Sequence, residues 1–315
     1  MPASSTRTDR LERMLAPAKS QATMPVAVIH PCDEASLHGA LLARDHGLIT
    51  PILVGPETRM RSVAEHHGLD LHGCRLINVP HSHAAADRAV ALVNEGSAEL
   101  LMKGSLHTDE LMSAVLARES GLRTDHRVSH VFYMDVPLYP KPLLLTDAAI
   151  NIAPTLEDKV HIVQNAIDFA IAMGISTPHV AILAAVEIIN PKMRATLDAA
   201  VLCKMADRGQ IRGGILDGPL AFDNAISSEA AERKRICSPV SGHADILLAP
   251  DIESANMLAK QLEYLADTIT AGVVLGARVP IILTSRADSA ETRLASAAIA
   301  VRYAQALQQA WSRSS

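Results

Sequence analysis

An α/β fold on a mostly parallel sheet is the expectation, and three observations carry it. Apolar residues make up 49% of the 315 but aromatics only 3%. Ala, Val, Ile and Leu must therefore fill the interior, as they do where parallel strands are buried on both faces. Short Val/Ile/Leu runs recur along the chain without polar alternation. Segments with helical spacing stand between them, and alternation of this kind predicts right-handed crossovers.

Taken in order, the first nine residues read as a loose tail. Strands are expected at 25–30, 51–55, 75–79, 99–103, 130–136, 143–146, 180–185, 213–217, 245–249, 272–275 and 279–284. Helices are expected at 33–47, 57–68, 82–95, 108–119, 155–173, 191–208, 253–267 and 289–311. Thr155 with Asp158 three residues on reads as a capping signal, after which Val160, Val163, Ile167 and Ile171 share one face. Gly174 closes that helix. Asn151 and Pro154 break regular structure, which puts a domain boundary between 147 and 154. The last helix is expected to return to the first domain. Domain I is then 1–147 plus 287–315, domain II is 148–286, and an interdomain cleft falls beside a hinge at Ser285-Arg286. The chain shows no internal repeat and no low-complexity tract.

Composition excludes several function classes. A chain of this length supports two domains or one large one. The formal net charge is −5, with no basic block, one Trp and three Phe. A nucleic-acid surface needs clustered cations and stacking aromatics. Cys32, Cys74, Cys203 and Cys237 are scattered without a CxxC, which reads as free thiols in a reducing compartment. No run approaches the ~18 to 20 apolar residues of a membrane span. The opening MPASSTRTDRLERML lacks the apolar core of a signal peptide. A soluble cytoplasmic protein is expected.

Four strand ends carry polar residues. The most informative is the apolar run 279–283, which leads into Thr284-Ser285-Arg286 and then a helix. Backbone N–H groups and the helix dipole favour an anion there, and Arg offers a forked donor that matches phosphate. Asp288 with Glu291 resembles a capping box, so Glu291 is either structural or a carboxylate that takes a proton. Ser285 can donate to an oxyanion; without a GxSxG elbow it is not marked as a nucleophile. Lys103-Gly104-Ser105, running to Thr108, suits a phosphate or nucleotide contact or is an ordinary turn. Asp217, ahead of Gly218-Pro219, either orients a substrate group or forms a turn. In Pro250-Asp251-Ile252-Glu253-Ser254-Ala255-Asn256, Asn256 can donate to a ligand while Asp251 or Ser254 caps the helix. The 14 histidines include His66-His67 and His81-Ser82-His83. No carboxylate or Cys stands near them at a ligand spacing, so they read as surface residues and no metal site is expected. GxGxxG and GxxxxGK[ST] are both absent from the sequence.

Together these segments resemble the phosphate acetyl/butyryl transferase family, from about Val26 to the C-terminal helix. The carrying stretches are LMKGSLHTDELM (101–112), RVSHVFYMDVP (127–137), TDAAINIAP (146–154), 189–227 and 249–302. The resemblance implies a three-layer, isocitrate/isopropylmalate-dehydrogenase-like fold of two domains with a cleft, and a homodimer. It implies acyl-CoA + phosphate ⇌ acyl phosphate + CoA, with CoA thioester and phosphate as partners, no cofactor and no metal. The family's Ser-Arg pair falls on Ser285 and Arg286, and its acidic residue on Glu291, with Asp288 as competitor. Its DGPL falls on Asp217 to Leu220. Its PD-x-x-x-GN falls on Pro250 to Asn256, with Ala255 in place of Gly. Lys103, Thr108, Asp217 and Asn256 are thus substrate-binding candidates. Met112-Ser113 stand where the acetyl-specific branch carries an Arg, so Arg123 and Arg127 become candidates for phosphate. These stretches resemble more nearly the butyryl-type branch, or the transferase half of fusions with a hydratase-like domain. Two rivals share the fold: a non-catalytic acyl-CoA or acyl-phosphate module, which the retained Ser285-Arg286 pair argues against, and a metal-dependent decarboxylating dehydrogenase, whose clustered aspartates are missing.

Overall fold

The computed structural model describes residues 6–20, 22–285 and 287–314. By internal contacts the chain divides into two compact units, 1–125 with 271–315, and 126–270. The sequence reading put these breaks at 147/148 and 286/287. Strand pairing explains the difference. β5 (Ser129–Asp135) pairs antiparallel with β6 (Leu143–Thr146), and β6 runs parallel beside β9 (Ile246–Leu248), so 126–147 folds with the second unit. β10 (Ile269–Leu275) pairs antiparallel with β11 (Ile281–Ile282), and β11 runs parallel beside β4 (Leu100–Lys103), so the last strands stay with the first.

In the first unit the helix α1 (Arg7–Lys19) already begins inside the expected tail. Thr6 and Asp9 form a reciprocal capping box, and Arg10, Met14, Leu15 and Ala18 are buried. The strands β1 (Met24–Ile29), β2 (Ile49–Gly55), β3 (Arg75–Asn78) and β4 join β11 and β10 in the order β3-β2-β1-β4-β11-β10. All but β10 run parallel. β1, β4 and β10 lie almost wholly in the core, as the unbroken aliphatic runs require. α2 (Glu34–Asp45) packs on α3 (Glu57–His66) and on α11 (Ala290–Ser314). α4 (Ser82–Asn94) packs on α5 (Thr108–Leu116).

The second unit orders its strands β5-β6-β9-β7-β8, with β7 (His179–Leu183) and β8 (Ile215–Leu220) parallel to β9 and β6. The helix α6 (Leu156–Ala172) opens on the expected Thr155/Asp158 box. The helices α7 (Arg194–Asp207), α8 (Phe222–Ile226), α9 (Ser228–Arg233) and α10 (Ile252–Leu265) complete it. Gly218-Pro219 was expected to force a turn, yet β8 runs through it to Leu220. β8 closes the strand order at this end, where a residue without an N–H is tolerated.

Candidate active site

In the first unit the chain winds β1, β2, β3 in one direction and then returns past β1 to place β4 on its other side. The β1/β4 junction is therefore a topological switch point, where the crevice beyond the carboxyl ends of parallel strands takes ligands. Ile29 pairs with Lys103 in register, so His30 follows one strand and Gly104-Ser105 the other. The turns come very close. Gly104 N–H donates to the Ile29 carbonyl at 2.9 Å. A Cβ on Gly104 would stand 2.2 Å from that oxygen, which is why only glycine fits.

Ser105 knits the junction. Its hydroxyl donates to the His30 carbonyl at 2.8 Å, and its Oγ accepts from Cys32 N–H at 3.2 Å. The His30 ring meets the same oxygen through Nδ1 at 3.1 Å. His30 holds φ +53, a left-handed backbone that a non-glycine residue rarely adopts. Burial lowers its pKa below the usual imidazole value, with Arg59 adding to the fall and Glu110 and Asp33 opposing it. Burial also pushes the Cys32 thiol up to about 11, so it stays protonated near neutrality.

The neighbouring strand, β11, delivers Thr284 and Ser285. Ser285 is exposed. Arg293, one turn into α11 and only 4% exposed, fixes the backbone beneath it. It donates to the Ser285 carbonyl at 2.7 Å and to Thr284 Oγ1 at 2.9 Å. Its Nε is buried with no hydrogen-bond partner among the described residues. Burial pulls its pKa below the guanidinium range, against the favourable fields of Asp288 and Asp33. The stem of Arg293 lies against Gly39 of α2, where an added Cβ would stand 2.8 Å from Arg293 Cδ. A mid-helix glycine costs about 1 kcal/mol relative to Ala, and here it makes room for a buried guanidinium.

The carboxylates differ from the expected capping box. Ser289, not Asp288, caps α11, accepting from Thr292 N–H at 3.1 Å. Asp288 reaches back to Ser285 N–H at 2.7 Å and stiffens the loop. Glu291 pairs with Arg7 at 2.7 Å and so anchors α1 to α11. Half-exposed pairs of this kind contribute ~0.2 to 1 kcal/mol. Glu291→Gln is expected to lower stability by no more than that and to leave turnover within about twofold. A thermal melt beside a kcat measurement checks this. A large loss of rate with an unchanged melt would restore Glu291 as a proton acceptor.

The remaining sequence candidates fall as follows. Arg286 lies outside the described residues. Lys103 is buried at the end of β4, with Nζ 3.5 Å from the Gly104 carbonyl, and Thr108 opens α5 nearby in the chain. Arg123 is exposed and bridges to Ala277. Three candidates stand in the second unit. Arg127 donates to Asn151 Oδ1 and pairs with Asp158 at 2.9 Å, which holds it against the start of α6. Asp217 sits within β8, opposite Ala181. Asn256 donates to the Ala148 carbonyl at 3.2 Å, while Asp251 caps α10 as expected. His66, His67, His81 and His83 are exposed, and no group of three or more His, Cys, Asp or Glu among the described residues is placed to hold a metal ion.

Sequence reasoning missed His30 and Arg293, and named Ser105 only within the Lys103-Gly104-Ser105 turn. A polar residue directly after the apolar run of β1 was the available signal for His30. For Arg293, the mid-helix Gly39 was the only hint.

A family model described as phosphate acetyl/butaryl transferase matches residues 83–301. A phosphate acetyltransferase of Rhizobium meliloti is 60% identical over 295 residues, covering 94% of this chain and 93% of the relative. A phosphate butyryltransferase of Clostridium acetobutylicum is 44% identical over 282 residues, covering 90% and 94%. The solved branched-chain phosphotransacylase of Enterococcus faecalis superposes with TM-score 0.79 at 31% identity, covering 90% of this chain and 99% of that one. The α/β architecture is that of the phosphotransacylases, and the chain belongs to the phosphate acetyl/butyryl transferase family as a phosphate acyltransferase.

Proposed function

We propose that this enzyme moves a short acyl group between CoA and inorganic phosphate at the carboxyl ends of β1, β4 and β11. The observation that carries this reading is the Ser285 turn. It is exposed at a strand end, it is held from below by a buried guanidinium, and it is followed directly by Arg286. In the thiolysis direction the CoA sulfur attacks the acyl carbonyl, Ser285 donates to the developing oxyanion, and Arg286 holds the departing phosphate. Lys103 and Thr108 serve the phosphate-bearing parts of the substrates. Arg123, in the same unit, is a further contact in this reading.

Transfer is direct, within a ternary complex. Cys32, the thiol at the switch point, is buried and held protonated, which suits it poorly to a covalent step. Bringing two substrates into register contributes several kcal/mol on the general scale of proximity effects, up to about 7 to 11 kcal/mol. The reaction changes no oxidation state, so it needs no redox cofactor. We also assign the enzyme to the cytoplasm as a homodimer, a reading supported by its scattered free cysteines and its family. Among the described residues no helix is long and apolar enough to cross a membrane.

Isotope exchange tests the reading. Labelled phosphate should enter acetyl phosphate only when CoA is present. Exchange without CoA would require an acyl-enzyme. Absence of exchange under both conditions, with acetyl and butyryl phosphate alike, would mark a binding module instead.

A further inference from the structure

The geometry points to His30 as the group that takes the proton from the CoA thiol. This inference rests on the acyl-transfer reading above and adds the base that reading lacks. Both acidic candidates already hold structural partners: Asp288 accepts from Ser285 N–H, and Glu291 pairs with Arg7.

The hydrogen bonds at the switch point favour one tautomer of the imidazole. The His30 carbonyl accepts from the Ser105 hydroxyl at 2.8 Å, beside the N–H groups of Cys32 at 2.8 Å and Ser105 at 3.0 Å. Ser105 Oγ therefore acts as acceptor toward both Cys32 N–H and the ring. In this arrangement His30 Nδ1 carries the hydrogen, and the lone pair is left on Nε2. That nitrogen makes no hydrogen bond among the described residues and is not among the sealed polar atoms. The ring is otherwise buried, at 9% exposure. A second serine contact thus does for this imidazole what a carboxylate does in other proton-transfer sites: it sets tautomer and orientation.

The backbone agrees. A left-handed φ at a non-glycine residue is unfavourable and persists where the surroundings over-determine it. Here those surroundings are the Ser105 bonds and the β1/β4 contact at Gly104. Register places Thr284 level with the same turn, since Ile282 pairs with Met102 and Ile29 with Lys103. Two strand spacings of about 4.8 Å separate the β1 and β11 ends, a span that an acyl phosphate and the attacking CoA sulfur can bridge between two side chains.

The charged groups facing His30 are Arg59 on α3, Glu110 on α5 and Asp33 ahead of α2, with the Lys103 ammonium and the Cys32 thiol nearby. Their fields partly cancel, and burial keeps the ring neutral near pH 7. In the step itself, Nε2 accepts the S–H proton and the sulfur pair forms the S–C bond. The C–O bond to the phosphoryl group then breaks, phosphate leaves with that pair, and the imidazolium returns its proton to phosphate.

His30→Asn is the appropriate variant. Asn tolerates the left-handed backbone and keeps an N–H for Ser105 Oγ, but it has no basic nitrogen. The assay is kcat/KM for CoA with saturating acetyl phosphate, from pH 6.5 to 9.5. A free thiol has a pKa of roughly 8.5, so a variant without a base depends on preformed thiolate. The expected loss is about 10²-fold at pH 6.5, shrinking about tenfold per pH unit and nearly gone at pH 9. A loss of the same size at every pH, or no loss, would overturn the base assignment. A wild-type protein without thiolysis at any pH would sink the acyl-transfer reading itself.

Discussion

Arg286→Ala is expected to raise the apparent constant for phosphate and to lower turnover about 10²- to 10³-fold, the size of effect seen when one preorganised donor is removed from an oxyanion site, on the order of 3 to 4 kcal/mol. The melting temperature should hardly move. Arg293 anchors the loop independently, through the Ser285 carbonyl and Thr284 Oγ1, so the turn keeps its shape when its neighbour is truncated. Steady-state kinetics in both substrates, alongside a thermal melt, separate the two effects. Unchanged kinetics in a folded Arg286→Ala protein would remove this residue from the site.

The second large effect concerns stability. His130, in β5, is fully buried against Phe132, with ring centroids 4.5 Å apart. Its Nδ1 has no hydrogen-bond partner among the described residues. Burial drives its pKa down to about 3 from a usual 6.5. The folded value is depressed, so the unfolded chain binds this proton first as pH falls. The stabilisation is fully present above pH 6.5 and is lost progressively between there and about pH 3. At about 1.4 kcal/mol per pH unit, the part lost between pH 7 and 5 is on the order of 2 kcal/mol. His130→Leu, close in volume, should lose that much less across the same interval. Urea melts of both proteins at pH 7 and pH 5 measure the difference, and parallel curves would show that His130 is not the source.

The fold was largely legible because its strands are short aliphatic runs. Val26–Ile29 and Leu100–Met102 have no polar residue to spoil the signal, and both proved buried. The same logic missed α1. Its buried positions, Arg10, Met14, Leu15 and Ala18, include a charged residue, and Pro17 lies within it. The Thr6/Asp9 box was the readable clue. Strand pairing set the unit boundaries, and pairing between distant segments leaves no local trace: β6 reads the same whichever neighbour it takes.

The candidate site was legible in its exposed parts and not in its supports. Ser285 and Arg286 follow an apolar strand, which any reader of hydrophobic runs can find. The carboxylates were misassigned as a box because Asp288-x-x-Glu291 and Ser289-x-x-Thr292 differ by one residue, and only the helix start at Ala290 decides between them. Arg293 could not be told from a solvated helix arginine, since its burial depends on a glycine more than 250 residues earlier in the chain. Nor does a sequence announce a left-handed histidine. His30 became visible only when β4 was seen beside β1.

The acyl group itself is set by side chains that discriminate weakly, since one methylene in an apolar pocket is worth about 1 to 3 kcal/mol. The acetyl- and butyryl-named relatives match at 60% and 44% identity, which leaves the chain length to experiment. The most direct measurement is therefore thiol release from acetyl-, propionyl- and butyryl-CoA, each with and without inorganic phosphate. Release that depends on phosphate, with acyl phosphate formed in equal amount, is the predicted result. Thioesters left intact in every phosphate-containing sample, or thiol released equally without phosphate, would contradict it.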